Sequence, residues 1–241
     1  MPRPAFDRAV VVIPAHNEAS ALPTSVAAVK AAGARVDIPV NVVVVLDACD
    51  DGSQALADRF GPDVHFVSVE AHNVGSARAA GFCFARSHFP DDPDGPGCWY
   101  ATTDADSRVD RDWLARQLVA QADMVLGVVR IASWRHIPAA AARRYLRAYY
   151  AKIHPDRGRH EHIHGANMGF AARAYWDVGG FAALSTAEDA DLVRRFESAG
   201  YHIRRDSRLS VATSARQTGR APQGFAAHLR GMLAERTRDS A

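Results

Sequence analysis

The apolar positions of the chain gather first into short, unbroken β-branched runs. Ala9 to Ile13 stops at Pro14 and Val40 to Leu46 stops at Asp47, so both read as strands buried on two faces. Between them the alanine-rich stretch Ser20 to Gly33 predicts a helix, with Ser20 as N-cap and Gly33 as its stop. A strand, a helix and a second strand make a βαβ unit with a parallel pair.

The alternation continues through a helix near Gln54 to Phe60, a strand at Val64 to Val69, a helix from Val74 to Ser87 capped by Asn73, and a strand at Trp99 to Thr102. This half is doubly wound α/β. "FPDDPDGPG", Phe89 to Gly97, concentrates Pro, Asp and Gly and predicts a surface loop. Beyond Asp106 the rhythm changes. Asp110 is placed to cap a helix through Gln121, Met124 to Arg130 reads as a strand, and Pro138 to Ile153 as a helix opened by proline. The histidine-rich run His154 to His164 breaks regular structure. A helix near Asp189 to Ala199, short strands around Ile203 and Val211, and a helical stretch near Gly224 to Arg236 complete the pattern.

In open α/β sheets ligands bind beyond the carboxyl ends of the strands. Pro14 to Glu18, Asp47 to Ser53 and Asp104 to Asp106 all fall at such ends, which brings three acidic loops to one crevice. Asp104 and Asp106 repel unless a proton or a cation lies between them, and a hard divalent ion such as Mg²⁺ or Mn²⁺ resolves the conflict. Mg²⁺ takes few protein carboxylates and fills its shell with water and phosphate oxygens, so sparse ligation points to a diphosphate partner. A turn in which either aspartate caps the next helix is the plain alternative.

Composition narrows the class. Of 241 residues, 29 are Lys or Arg and 27 Asp or Glu, a net charge of +2 that gives no general attraction to nucleic acid or an anionic membrane. At 48% hydrophobic, the length suits a single globular domain. Three cysteines, Cys49, Cys83 and Cys98, lack metal-site spacing and form no disulfide framework, which suits a reducing cytoplasm. No apolar run reaches the roughly 20 residues of a membrane span, although peripheral membrane contact stays open.

Six segments in order, "VVVIPAHNEASALPTSVAAV", "VVVVLDACDDGS", "NVGSARAAGF", "TTDADSRVDRDWL", "HGANMGFAARAYWDVGGF" and "AEDADLVRRFESAGY", resemble the motifs of family 2 glycosyltransferases. The resemblance implies the GT-A fold, a single α/β domain with a mostly parallel Rossmann-like sheet. Its nucleotide-binding half would span about residues 1–107 and its acceptor-binding half about 108–241. It also implies transfer of a sugar from a nucleoside diphosphate donor to an acceptor hydroxyl.

By that resemblance Pro14, Ala15, Asn17 and Glu18 line the nucleotide, with Asp47 at its base, although "LDACDDGS" leaves open whether Asp47 or the Asp50-Asp51 pair makes that contact. Arg78 approaches the nucleotide, and Asp104, Ala105 and Asp106 form the metal and diphosphate loop. Asp189, beside Glu188, is the general base of an inverting reaction. Gly165, Asn167 and Glu188 belong to the acceptor side, and His164 is an acceptor contact or a third metal ligand. Arg216 and Arg220, in the polar loop "TSARQTGRAP", suit phosphate oxygens or plain solvent. Two rivals remain in view. A nucleotidyltransferase needs a glycine-rich basic loop where this chain reads "IPAHNEAS"; a noncatalytic nucleotide-sugar binder need not keep Asp104, Asp106 and Asp189 together.

Overall fold

The computed structural model describes residues 6–89, 97–135, 137–154, 158–184 and 186–214. The expected strands are β1 (Arg8–Ala15), β2 (Val40–Asp47), β3 (Val64–Val69) and β4 (Cys98–Thr102), all mutually parallel in the order β3-β2-β1-β4. Their apolar runs are continuous because both faces are covered. Val11, Ile13, Val42 and Val44 face the cluster that includes helix α1 (Leu22–Gly33), while Val10, Val12, Val43 and Val45 face α2 (Val74–His88). A Cβ at Gly81 would sit 2.5 Å from Val12 Cγ1 and 2.8 Å from Val45 Cγ2, so glycine lets α2 lie close on the sheet.

Asn73 caps α2 by accepting from the Ser76 amide at 2.9 Å. Ser20 does not cap α1: the helix begins one residue beyond Ala21, with no side-chain cap and with Pro23 in its first turn. Between β2 and β3 the chain makes a 3-10 turn, Ser53–Arg59.

The second half extends the sheet to eight strands. β5 (Ser107–Val109) follows β4 directly and α3 (Trp113–Leu118) is shorter than expected, with no side-chain cap from Asp110. Then come β6 (Met124–Ile131), α4 (Ala139–Tyr150), the two-residue pair β7 (Ile153–His154) and β8 (Arg159–His160), β9 (Met168–Ala171), α5 (Ala172–Asp177), α6 (Glu188–Ser198) and β10 (Ile203–Thr213). The order continues β4-β9-β6-β10-β5, with β9 antiparallel to both neighbours. β6 therefore runs in the direction of β4, and the ends of both open on the same side. The strands expected around Ile203 and Val211 are one strand, bulged between Arg205 and Ser210. Gly224 to Arg236 lies outside the described residues.

Candidate active site

The strand order reverses between β1 and β4, and the three acidic loops meet beyond the ends of β1, β2 and β4. These loops are tied together by short polar contacts. Asn17 Oδ1 accepts from the Asp50 amide at 2.8 Å, the Cys49 thiol donates to the Ala15 carbonyl at 3.3 Å, and the Asp51 carboxylate accepts from the Ala19 amide and from the Ser53 amide and hydroxyl. Asp51 and Ser53 are thus a turn that closes on itself. Pro14 and Ala15 end β1 with buried side chains, and Glu18 is buried while its carbonyl accepts the amides that start α1.

Four of the five non-glycine residues with positive φ among the described residues border this crevice: Asn17, Ala48, His72 and Ala187. Each costs steric energy that the surrounding hydrogen bonds must hold, a pattern concentrated at functional sites.

The Asp47 carboxylate is taken up by backbone amides. Oδ1 accepts from the Ala71 and His72 amides at 2.7 and 2.8 Å, and Oδ2 from the Asn73 amide at 2.8 Å. Its charge pins the loop that enters α2, and the side chain left at the rim is Asp50, exposed, with no carboxylate partner among the described residues. The sequence did not single out the loop it pins, which brings the His72 ring to 6.4 Å from that of His16.

Arg78 is also placed differently from expectation. Its side chain is 3% exposed; one guanidinium nitrogen donates to Glu188 Oε1 and another to Asp104 Oδ1 at 2.7 Å, and the group lies over the Phe181 ring. Arg78 is therefore an internal strut from α2 to the β4 loop and to the first turn of α6, rather than a residue reaching for phosphate. Burial alone would lower its pKa, but the charges of Asp104, Glu188 and Asp189 outweigh that and hold it above its ordinary value.

Gly165 packs against this strut, since a Cβ there would sit 2.6 Å from both terminal nitrogens of Arg78. Its amide donates to Asp189 Oδ2 at 2.8 Å, while Asp189 Oδ1 accepts from the Ala190 amide. Asp104, Arg78, Glu188, Gly165 and Asp189 are thereby joined in one contiguous chain.

Asp106 stands at the end of that chain, its Oδ1 accepting from the Thr213 hydroxyl at 3.5 Å, with Ala105 buried between the two aspartates. Asp104 is raised to about 6, first by burial and then by the charges of Asp106 and Glu188, against the pull of Arg78. One guanidinium thus faces a surplus of carboxylates. That surplus and the all-oxygen donor set fit a hard divalent cation. Among the described residues no three His, Cys, Asp or Glu side chains are grouped to hold a metal, so the cation would take much of its shell from water and phosphate.

Two residues expected on the acceptor side are engaged in contacts within the protein. Asn167 is fully buried: Oδ1 accepts from the Trp113 indole at 2.8 Å, and Nδ2 donates to the Val128 and Leu209 carbonyls. Its amide ties α3, β6 and the β10 bulge together and is spent on structure. His164 faces away from the aspartates toward Tyr149, with Nε2 3.0 Å from the hydroxyl. That hydroxyl accepts from the Val129 amide at 2.8 Å and so directs its own proton to His164, which fits an imidazole pushed down to about 3 by burial and by His162 and His160. Arg216 and Arg220 lie outside the described residues.

A cavity of about 260 Å³ beside Lys30, Val40 and Asp63 opens at the start of β2, the opposite end of the sheet from these carboxylates. No helix among the described residues is long and apolar enough to cross a membrane.

Solved structures share this architecture. A mannosyltransferase from Pyrobaculum calidifontis in complex with GDP-mannose and Mn²⁺ superimposes with a TM-score of 0.63 at 22% identity, over 99% of this chain and 66% of that one. TarS residues 1–349 from S. aureus, in complex with UDP-GlcNAc, gives 0.62 at 15% identity, over 95% of this chain and 71% of that one. No curated protein is similar enough in sequence to count as a match. The description "Glycosyl transferase family 2" matches residues 10–179, a span that holds Arg78, Asp104, Asp106 and Gly165 and stops short of Glu188 and Asp189. With that family matched over most of its length and its fold shared with those structures, the chain belongs to glycosyl transferase family 2 and is a glycosyltransferase of GT-A fold.

Proposed function

We propose that this glycosyltransferase moves a sugar from a nucleoside diphosphate donor to an acceptor hydroxyl with inversion, using Asp189 as general base and Mg²⁺ or Mn²⁺ held by Asp104 and Asp106. The observation that carries the reading is the chain Asp104–Arg78–Glu188 with Gly165 and Asp189, which sets a positioned carboxylate beside a carboxylate-rich loop at the sheet's switch point. The donor class is read from the GDP-mannose and UDP-GlcNAc of the two relatives.

Once bound, the cation would neutralise the diphosphate that departs. The protein's own residues do the rest. Asp50, exposed at the rim, is placed for the base or ribose, while Asp47 holds the loop beside it. The acceptor oxygen attacks the anomeric carbon as the bond to the diphosphate breaks, and its proton passes to Asp189. Each Asp189 oxygen accepts one backbone hydrogen bond, which fixes its direction and leaves lone pairs for that proton. Arg78 keeps the α6 turn and the β4 loop in register, so that base and leaving group stand on either side of the sugar.

Asp189→Asn tests this. Release of nucleoside diphosphate in the presence of acceptor should fall by about 10²-fold or more, the usual share of a general base, with donor affinity little changed. Turnover near the parent rate would remove Asp189 from the role. EDTA should abolish the thermal stabilisation given by donor plus Mn²⁺; a shift indifferent to chelator would remove the cation.

A further inference from the structure

A second cavity, of about 230 Å³, lies between the end of β6 and α4, walled by Ile131, Trp134, Tyr145, Leu146, Tyr149 and Tyr150. Since β6 runs in the direction of β4, the cavity opens on the same side of the sheet as Asp104 and Asp106. A run of contacts joins it to the proposed reaction centre: Tyr149 meets His164, the next residue is Gly165, and Gly165 touches both Arg78 and Asp189.

Its wall is unusually rich in rings. Trp134 lies 5.5 Å from Tyr145, Tyr145 stacks on Tyr149 at 5.6 Å, and Tyr149 stacks on His162 at 3.8 Å. Tyr145 is buried and Tyr149 is engaged by Tyr145 and His162, so the ring surface left for the apolar face of a sugar is that of half-buried Trp134 and of Tyr150, which is 61% exposed.

The stretch of chain that builds it carries charge of one sign. From 124 to 155 the sequence holds Arg130, Arg135, Arg143, Arg144, Arg147 and Lys152 and neither Asp nor Glu, in a chain whose overall charge is only +2. Arg143, Arg147 and Tyr150 stand at i, i+4 and i+7 on the exposed side of α4, and both arginines lie three residues before a cavity wall residue, Leu146 or Tyr150. Neither arginine has a carboxylate partner among the described residues, whereas Arg130, in the wall, is paired with Asp110 at 2.7 Å. An exposed pair of guanidinium groups at the rim of a ring-lined cavity suits phosphate or carboxylate oxygens.

We infer that this cleft is the acceptor subsite and that it selects an anionic sugar, one whose ring lies against Trp134 and Tyr150 while its phosphate or carboxylate meets Arg143 and Arg147. The inference rests on the glycosyltransferase reading and specifies its acceptor.

The test measures binding by calorimetry on the full chain with Mn²⁺ and GDP or UDP present, using glucose 6-phosphate, glucuronic acid, methyl glucoside and inorganic phosphate. The charged sugars should bind about tenfold tighter than methyl glucoside or phosphate, the worth of one charge-assisted contact. The R143A/R147A double variant, altered only at exposed positions, should lose that advantage, and Tyr150→Ala should weaken charged and neutral sugars alike. Equal affinity for neutral and charged sugars, or an advantage that survives in R143A/R147A, overturns the inference.

Phosphatidylinositol vesicles that bind, and are displaced by glucose 6-phosphate but not by methyl glucoside, support the site with its anionic ring on a lipid; vesicles that bind R143A/R147A equally well count against it. Thermal shift with GDP-mannose and UDP-GlcNAc in the same samples separates the two levels. Donor binding without charged-sugar binding overturns the cleft alone, and binding of neither overturns the donor reading as well.

Discussion

Asp47 and Asp50 stand three residues apart and carry opposite burdens. Asp47 is 5% exposed and its carboxylate takes three backbone amides, so removing it strands all three donors in a loop that enters α2. Hydrogen bonds to a charged group are worth about 1.5–3 kcal/mol each before the loop relaxes, and Asp47→Ala should cost on the order of 3 kcal/mol. Asp47→Asn should cost less, since its amide keeps one accepting oxygen. Asp50→Asn, at an exposed position, should stay within about 0.5 kcal/mol in stability yet weaken nucleotide binding about tenfold. Urea midpoints and calorimetry with GDP or UDP read the two quantities separately, and an Asp47 variant of unchanged stability would refute the division. The motif "LDACDDGS" could not reveal it, because the difference depends on a distant loop returning its amides to Asp47.

At the scale of elements, legibility follows burial on two faces. β3 keeps its expected bounds, and β1, β2 and β4 differ from expectation by three residues or fewer, because strands covered on both sides must be apolar throughout. β9 is only four residues and includes Gly169, where a Cβ would fall 1.9 Å from Gln117 Oε1; neither its length nor its glycine marks a strand. β10 runs through Arg204, Arg205, Asp206, Ser207 and Arg208, and its bulge masks the alternation that would have identified it.

What joins the elements was equally hidden. The resemblance set Arg78 toward the nucleotide, but its ties to Glu188 and Asp104, 110 and 26 positions away, arise only when α2 meets α6 and the β4 loop. Arg78→Met leaves buried Glu188 without its counter-charge and should cost about 3–5 kcal/mol. Arg78→Lys retains the charge but cannot fork to two carboxylates. It should lower kcat far more than it raises the donor KM, because the α6 turn bearing Asp189 shifts relative to the β4 loop. A Lys variant with parent kcat would show that the strut does not position the base.

For the whole molecule, the three acidic loops expected at strand ends do meet, because a sheet of this topology brings the ends of β1, β2 and β4 together. The histidine-rich run stood out in the sequence but its contacts did not, since the stacking of His162 and His164 on Tyr149 and of His160 on His162 depends on the path the chain takes through and beyond β8. Those contacts have a consequence for stability. His160, buried, reaches the Leu126 carbonyl through Nε2, His162 reaches the Tyr149 carbonyl, and His164 lies against the Tyr149 hydroxyl.

All three histidines are lowered from 6.5, primarily by burial, and His164 to about 3. A lowered folded pKa means that the unfolded chain binds the proton first. Above 6.5 neither state holds it and the stability is whole; as pH falls from 6.5 toward 3, the unfolded state is favoured progressively. In that window His164 contributes a slope of up to about 1.4 kcal/mol per pH unit. His164→Gln can still accept from Tyr149 but has no proton to gain, so its unfolding free energy should fall more gently between about pH 6 and 4, by roughly 1 kcal/mol per unit. Denaturant titrations of both proteins across that range decide it. Carboxylate titration is common to the two and cancels in the difference, and equal slopes would mean that His164 is protonated as readily in the folded chain as outside it.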